Sequence, residues 1–300
     1  METLSFNGWD GSVRLSNREI ELVVTTAVGP RIARLGFKGK RNLFAEIAGQ
    51  QGGRGEAEWM IRGGHRFWIA PEVKPLTYEL DNTPIAVEEI DGGVRTVQPA
   101  GPLSGCVKTM EIILAEDRNR VEVRHMLTNE GKSSIRLAPW ALSVMAPDGM
   151  AVIPRPAFVA HTDRVLHNQE WSLWGYTDLT DSRWTLGQRY LFFRQDRTMG
   201  PNKLGIAQRE GWVGYLLGEF LFVNRFSFDE TATYPDGGVN FETFSNQDFL
   251  EIETLGRLTD LAPGASVSHT ETWDLHSGVA HVTTEDDADR LVKPLVRSKA

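Results

Sequence analysis

The sequence is short of cysteine, and it lacks long apolar runs, blocks of like charge and sustained helical periodicity. A single cysteine, Cys106, excludes an internal disulfide framework and fits a reducing compartment. It lies in Leu103-Ser104-Gly105-Cys106-Val107-Lys108 with no histidine beside it in sequence, which favours a small buried residue over a nucleophile. No stretch is long and apolar enough for a membrane-spanning helix, and Met1–Phe6 has no basic start of the signal-peptide kind. The expectation is a protein of the bacterial cytoplasm without a membrane partner. Acidic and basic residues are interspersed, with a net charge of −8 and a pI near 5.5, so there is no footprint for nucleic acid. Gly-x-Ser-x-Gly, the P-loop and the dinucleotide fingerprint are all missing, and Gly52-Gly53-Arg54-Gly55 lacks the strand-to-helix setting of a phosphate cradle. His161 with His167, and His276 with His281, stand without a carboxylate at a recognised ligand spacing. No metal and no cofactor are expected.

What is present is β-structure. Glu19–Ala27 and Arg31–Phe37 alternate, with a turn at Val28-Gly29-Pro30. In Arg120–Asn129 the residues Val121, Val123, His125 and Leu127 share one face, a clean period of two. Ile135–Met145 is almost wholly apolar and predicts a strand buried on both faces. Ser266–Leu275 is a final alternating strand, and Thr283–Lys299 predicts a short terminal helix. Residues 146–200 read as irregular, broken by Pro147, Pro154 and Pro156, with Trp171, Trp174 and Trp184 in a polar loop-like stretch. Many short strands spaced by turns, over 300 residues with no linker or repeat, predict an all-β sandwich acting as one domain, 1–300.

One stretch concentrates chemistry. Arg62-Gly63-Gly64-His65-Arg66-Phe67-Trp68-Ile69-Ala70-Pro71-Glu72 joins a glycine pair to an imidazole, a guanidinium, an indole and a carboxylate. The glycines allow a sharp turn or a close approach. His65, Arg66 and Glu72 offer a proton shuttle, a forked donor and an acceptor, and Trp68 offers a flat apolar face. Sugars need that mixture: many hydroxyls to satisfy and one weakly apolar ring face to cover. Nine tryptophans in all suit the same purpose.

Two further stretches complete a pattern. They are Leu137-Ala138-Pro139-Trp140-Ala141-Leu142-Ser143-Val144-Met145 and Tyr234-Pro235-Asp236-Gly237-Gly238-Val239-Asn240-Phe241-Glu242-Thr243, running on to Ile252-Glu253-Thr254. Together the three resemble a bacterial family with the galactose-mutarotase, or aldose 1-epimerase, fold, over about residues 15–278. The resemblance implies a galactose mutarotase-like β-supersandwich with a sugar cleft on one face. In the epimerases a glutamate in a Leu-Glu-Thr setting is the general base, and Glu253 is similar in place. An epimerase histidine beside a glycine pair is matched by His65. A second epimerase histidine is matched by Trp140, which cannot shuttle a proton. An epimerase arginine is matched by Arg31 or Arg66.

Mutarotation needs a base for the anomeric hydroxyl proton and an acid for the ring oxygen. The resemblance makes Glu253 the base, His65 the acid, Arg66 or Arg31 a clamp, Trp68 and Trp140 ring platforms, and Glu72 and Glu242 hydroxyl acceptors. Period-two geometry puts Glu251 and Glu253 on one strand face, either solvated or lining a cleft. The expected partner is a small-molecule sugar or a glycan, with a homodimer left open. Two alternatives stand beside a mutarotase: a non-catalytic sugar-binding or sensing module, and a polysaccharide hydrolase or lyase on the same fold.

Overall fold

The computed structural model describes residues 1–297. Residues 298–300, which include the last two positions of the predicted terminal helix, lie outside the described residues.

Two antiparallel sheets face each other. The first has eleven strands, in the spatial order Glu2–Phe6, Trp9–Ser16, Ile20–Thr25, Arg31–Phe37, Gly64–Ala70, Ile135–Met145, Leu250–Leu255, Phe241–Ser245, Asn202–Ile206 and Trp171–Leu173, with Thr259–Leu261 also paired to Ile135–Met145. The second has ten, in the order Trp184–Leu186, Tyr190–Arg194, Met150–Pro154, Trp212–Leu217, Phe220–Arg225, Ser266–His276, Arg120–Asn129, Cys106–Leu114, Gly93–Gln98 and Ala86–Ile90.

Local sequence explains most of this. The Arg120–Asn129 strand buries Val121, Val123, His125 and Leu127 and leaves Glu122 and Arg124 to solvent, as its alternation predicts. Between the sheets Ile32, Phe67, Ile69, Met110, Val123 and Phe222 form part of one apolar core. The Gly64–Ala70 strand and most of Ile135–Met145 are buried on both faces, because each also supports a layer on the outer side of the first sheet.

The Gly63-Gly64 pair has a steric reason. Both residues have positive φ, +89° and +75°. A Cβ on Gly64 would sit 2.5 Å from the carbonyl oxygen of Ile32, and one on Gly63 would strike that of Ala45. Only glycine lets the chain enter this central strand between its neighbours.

Residues 146–200 are more regular than the prolines suggest. Trp171 and Trp184 begin short edge strands, and the Trp184 ring stacks on Phe193 with centroids 3.7 Å apart. Ring stacking supplies an anchor that hydropathy does not display. The carboxy-terminal segment turns helical at Glu285, where Thr284 and Asp287 form a reciprocal capping box. Its Val282, Val292 and Val296 cover Tyr190, Phe192 and Trp212 on the outer face of the second sheet. No described helix is long and apolar enough to cross a membrane.

Candidate active site

The outer face of the first sheet carries a cleft of about 250 Å³. Its floor follows from register. Arg66 lies opposite Leu142, Leu142 opposite Glu253, and Glu253 opposite Glu242, so one cross-strand row runs through four strands. Two residues along, Trp68 faces Trp140 and Trp140 faces Leu255. In the other direction Glu251 faces Phe244 and Phe244 faces Lys203. Alternation brings side chains up to 190 positions apart in sequence onto one surface.

The walls are aromatic. The rings of Trp59, Trp68 and Tyr78 meet with centroids 4.7–5.6 Å apart, and Trp140 meets Trp68 edge-on at 5.4 Å. Two cations lie against them. The Arg66 guanidinium is 4.5 Å from the Trp68 ring centre and donates to Glu251 at 2.8 Å. Lys203 Nζ lies 5.0 Å from the Trp140 ring and 4.7 Å from the Trp174 ring. It also pairs with Glu242 at 2.6 Å and with Glu253 at 3.1 Å.

Glu253 is the centre of the arrangement. Its Oε2 accepts from Trp140 Nε1 at 3.1 Å and from Lys203. Its Oε1 is buried and has no partner. Burial pushes this carboxyl up, to about 7, against the pull of Lys203. Burial also raises Glu242 well above the usual carboxylate range. For Lys203 burial works against the charge, but Glu253 and Glu242 outweigh it and hold the ammonium protonated. A carboxyl that ionises near neutrality, with one oxygen free, can take and return a proton.

The other sequence-predicted residues divide into two groups. Arg66, Trp68, Glu72, Trp140 and Glu253 all line the cleft. Glu72 stands at the rim and accepts from the Tyr78 hydroxyl at 2.5 Å. Glu242, expected to accept from sugar hydroxyls, does not line the cleft: it is fully buried against Lys203 beside Glu253. Arg31 neighbours Arg66 in the sheet, but its guanidinium is held by Asp81 at 2.8 Å and by the carbonyl oxygens of Ile61 and Gly63. It braces the loop before the cleft, and Arg66 is the arginine that lines the cleft.

His65 requires a correction. The expected His65–Glu253 acid–base pair is not formed. His65 precedes Arg66, so the period-two strand turns its ring to the opposite face, into the core between the sheets. There it is fully buried, with Nδ1 2.9 Å from Ser143 Oγ and Nε2 2.7 Å from His125 Nε2. Burial pushes it well below the ordinary imidazole range. Among the described residues no histidine lines the cleft.

No family model and no curated protein sequence matches the chain. Solved structures do. A galactose mutarotase-like protein from Lactobacillus casei superposes with a TM-score of 0.60 at 11% identity, covering 89% of this chain and 100% of its own. A candidate aldose 1-epimerase from Escherichia coli K12 gives 0.56 at 13% identity, covering 89% and 99%. A candidate mutarotase from Salmonella typhimurium gives 0.59 at 9% identity, covering 89% and 90%. The chain has the galactose mutarotase-like fold. At these identities the likeness is one of fold alone.

Lys203, from the Asn202–Ile206 strand, and Trp59, Tyr78 and Tyr176, from the connecting segments, also line the cleft and have no counterpart among the sequence-predicted residues. Only Lys203 left a trace: a cation in the strand Asn202-Lys203-Leu204-Gly205-Ile206, next to its apolar end. A charge in such a run marks a site where something opposite must wait.

Proposed function

We propose that the chain, as one domain, binds a sugar in this cleft and interconverts its anomers with Glu253 as the base. The observation that carries the reading is the free, buried Oε1 of Glu253 in a cleft walled by Trp59, Trp68 and Trp140. The cleft is at the small end of ligand pockets, which run from roughly 300 Å³ upward, and that suits a single sugar ring. An indole wall covers the apolar face of the ring, while Arg66, Glu72 and Asn246 offer donors and acceptors to hydroxyls. Glu253 takes the anomeric hydroxyl proton as the C1–O5 bond breaks. Lys203, charged and bound to the same carboxylate, is the donor that meets the ring oxygen. The nascent alkoxide is more basic than the amine, so the proton passes to it. The aldehyde turns, and closure in reverse gives the other anomer. The cytoplasm, with its free aldoses, is the setting that this reading implies.

A second reading is favoured by one observation. With no histidine lining the cleft among the described residues, the same surface serves a non-catalytic sugar-binding module. Saturation-transfer NMR on a panel of aldoses and uronic acids separates the two. Anomer exchange above buffer that is lost in Glu253→Gln supports the enzyme. Line broadening without exchange supports the binder. Neither effect with any sugar sinks both.

A further inference from the structure

We propose that His65, His125 and Glu271 form a closed binding site for one divalent transition-metal ion in the core behind the cleft. The site joins the two sheets. His65 comes from the Gly64–Ala70 strand of the first, and His125 and Glu271 come from the Arg120–Asn129 and Ser266–His276 strands of the second. All three are fully buried, and one ligand atom from each lies within 4.8 Å of the others. Their positions in sequence are too far apart for any spacing motif to reveal them.

Three observations point to a cation. First, both rings are anchored by their far nitrogens: His65 Nδ1 lies 2.9 Å from Ser143 Oγ, and His125 Nδ1 donates to the carbonyl oxygen of His269 at 3.2 Å. Outer hydrogen bonds of this kind fix metal-binding imidazoles and turn the Nε2 lone pairs to one point. Here the two Nε2 atoms face each other at 2.7 Å. Second, hydrogen bonds from Asn224, Thr254 and Trp273 hold the Glu271 carboxyl in place, with Oε2 3.9 Å from His65 Nε2. Third, Asn224 keeps a buried carbonyl oxygen without a partner while its amide nitrogen holds Glu271.

Two imidazoles and one carboxylate suit zinc and its first-row neighbours. A tetrahedral centre with bonds of about 2.0–2.1 Å holds two nitrogens roughly 3.3 Å apart. The two rings would therefore part by about 0.6 Å, and the Glu271 carboxylate, now 3.9 Å from His65 Nε2, would close in by at least as much, through small side-chain rotations. The simpler occupant of the 2.7 Å gap is a proton shared between neutral imidazoles, and the experiment separates the two.

The full chain is purified without chelator and its metals are measured. It is then unfolded in chelator and refolded with zinc, cobalt or manganese. About one equivalent per chain, and a higher melting temperature after refolding with metal, are expected. X-ray absorption on the wild type should show a nitrogen and oxygen shell with the scattering signature of two imidazoles. This reading needs no variant to fold. In Glu271→Gln and His125→Gln, checked for folding by tryptophan fluorescence, the stoichiometry should fall at least about tenfold. Three results would each overturn the proposal. They are less than about 0.1 equivalent both as purified and after refolding, a metal without imidazole scattering, and metal retained in full by a folded variant.

Discussion

Replacing Glu253 with glutamine tests the centre of the cleft while keeping its shape. The amide oxygen can still accept from Trp140 Nε1 and Lys203, so the sugar-facing surface persists. The base does not. A positioned general base contributes about 10²–10⁴-fold, which at 1.36 kcal/mol per decade is about 2.7–5.5 kcal/mol of barrier. The anomer exchange rate should fall by that factor while sugar affinity changes little. The wild-type rate should climb with pH around a midpoint near the Glu253 value of about 7, because only the ionised carboxylate takes a proton. The glutamine variant should show no such step. Stability carries the opposite sign. The folded pKa lies above the ordinary 4.5, so the stability due to protonated Glu253 is full below 4.5 and is lost as pH rises through about 7. Relative to wild type, Glu253→Gln should gain in melting temperature across that window. Exchange at the wild-type rate in the variant would refute the assignment. A stability difference that shrinks with rising pH would refute the electrostatic account.

Lys203→Met leaves Glu242 and Glu253 buried with no cation between them. Breaking such a pair costs about 3–5 kcal/mol, read as a lower urea midpoint at neutral pH, and the loss should ease in acid as the carboxyls protonate. Gly64→Ala forces a Cβ against the Ile32 carbonyl at positive φ. The expected loss is about 1–3 kcal/mol, again by urea titration, with a wild-type result excluding the steric reading. Truncation after Gly278 uncovers Tyr190, Phe192 and Trp212. It should raise dye binding to exposed apolar surface and promote association, and sugar binding should survive in the soluble fraction because the cleft lies on the other sheet.

The architecture was legible because alternation, turns and the lack of helical period all pointed one way. The cleft was half legible. Arg66, Trp68 and Glu72 stand in one short motif, and Trp140 and Glu253 came through resemblance. The error at His65 was one of parity: a strand segment was read as a single patch, although adjacent residues on a strand face opposite ways. Lys203, Trp59 and Tyr78 stayed hidden because they enter from separate strands and loops. Lys203 reaches the cleft through the Lys203–Phe244–Glu251 register, which is not written in any one segment, and Trp59 and Tyr78 arrive on connecting segments that no register predicts. The His65–His125–Glu271 cluster was hidden for the same reason.

The strict alternation of the central strands has an engineering consequence. Positions 66, 68, 140, 142, 251 and 253 open outward, while 65, 67, 141, 143, 252 and 254 build the interior of the same strands. Cleft lining and core packing are therefore encoded on interleaved sets of codons, with the buried Arg66–Glu251 and Lys203–Glu253 pairs tying part of the outward set to stability. A library that spares those pairs and randomises positions 68, 140 and 142 can vary the cleft wall while the interior remains untouched.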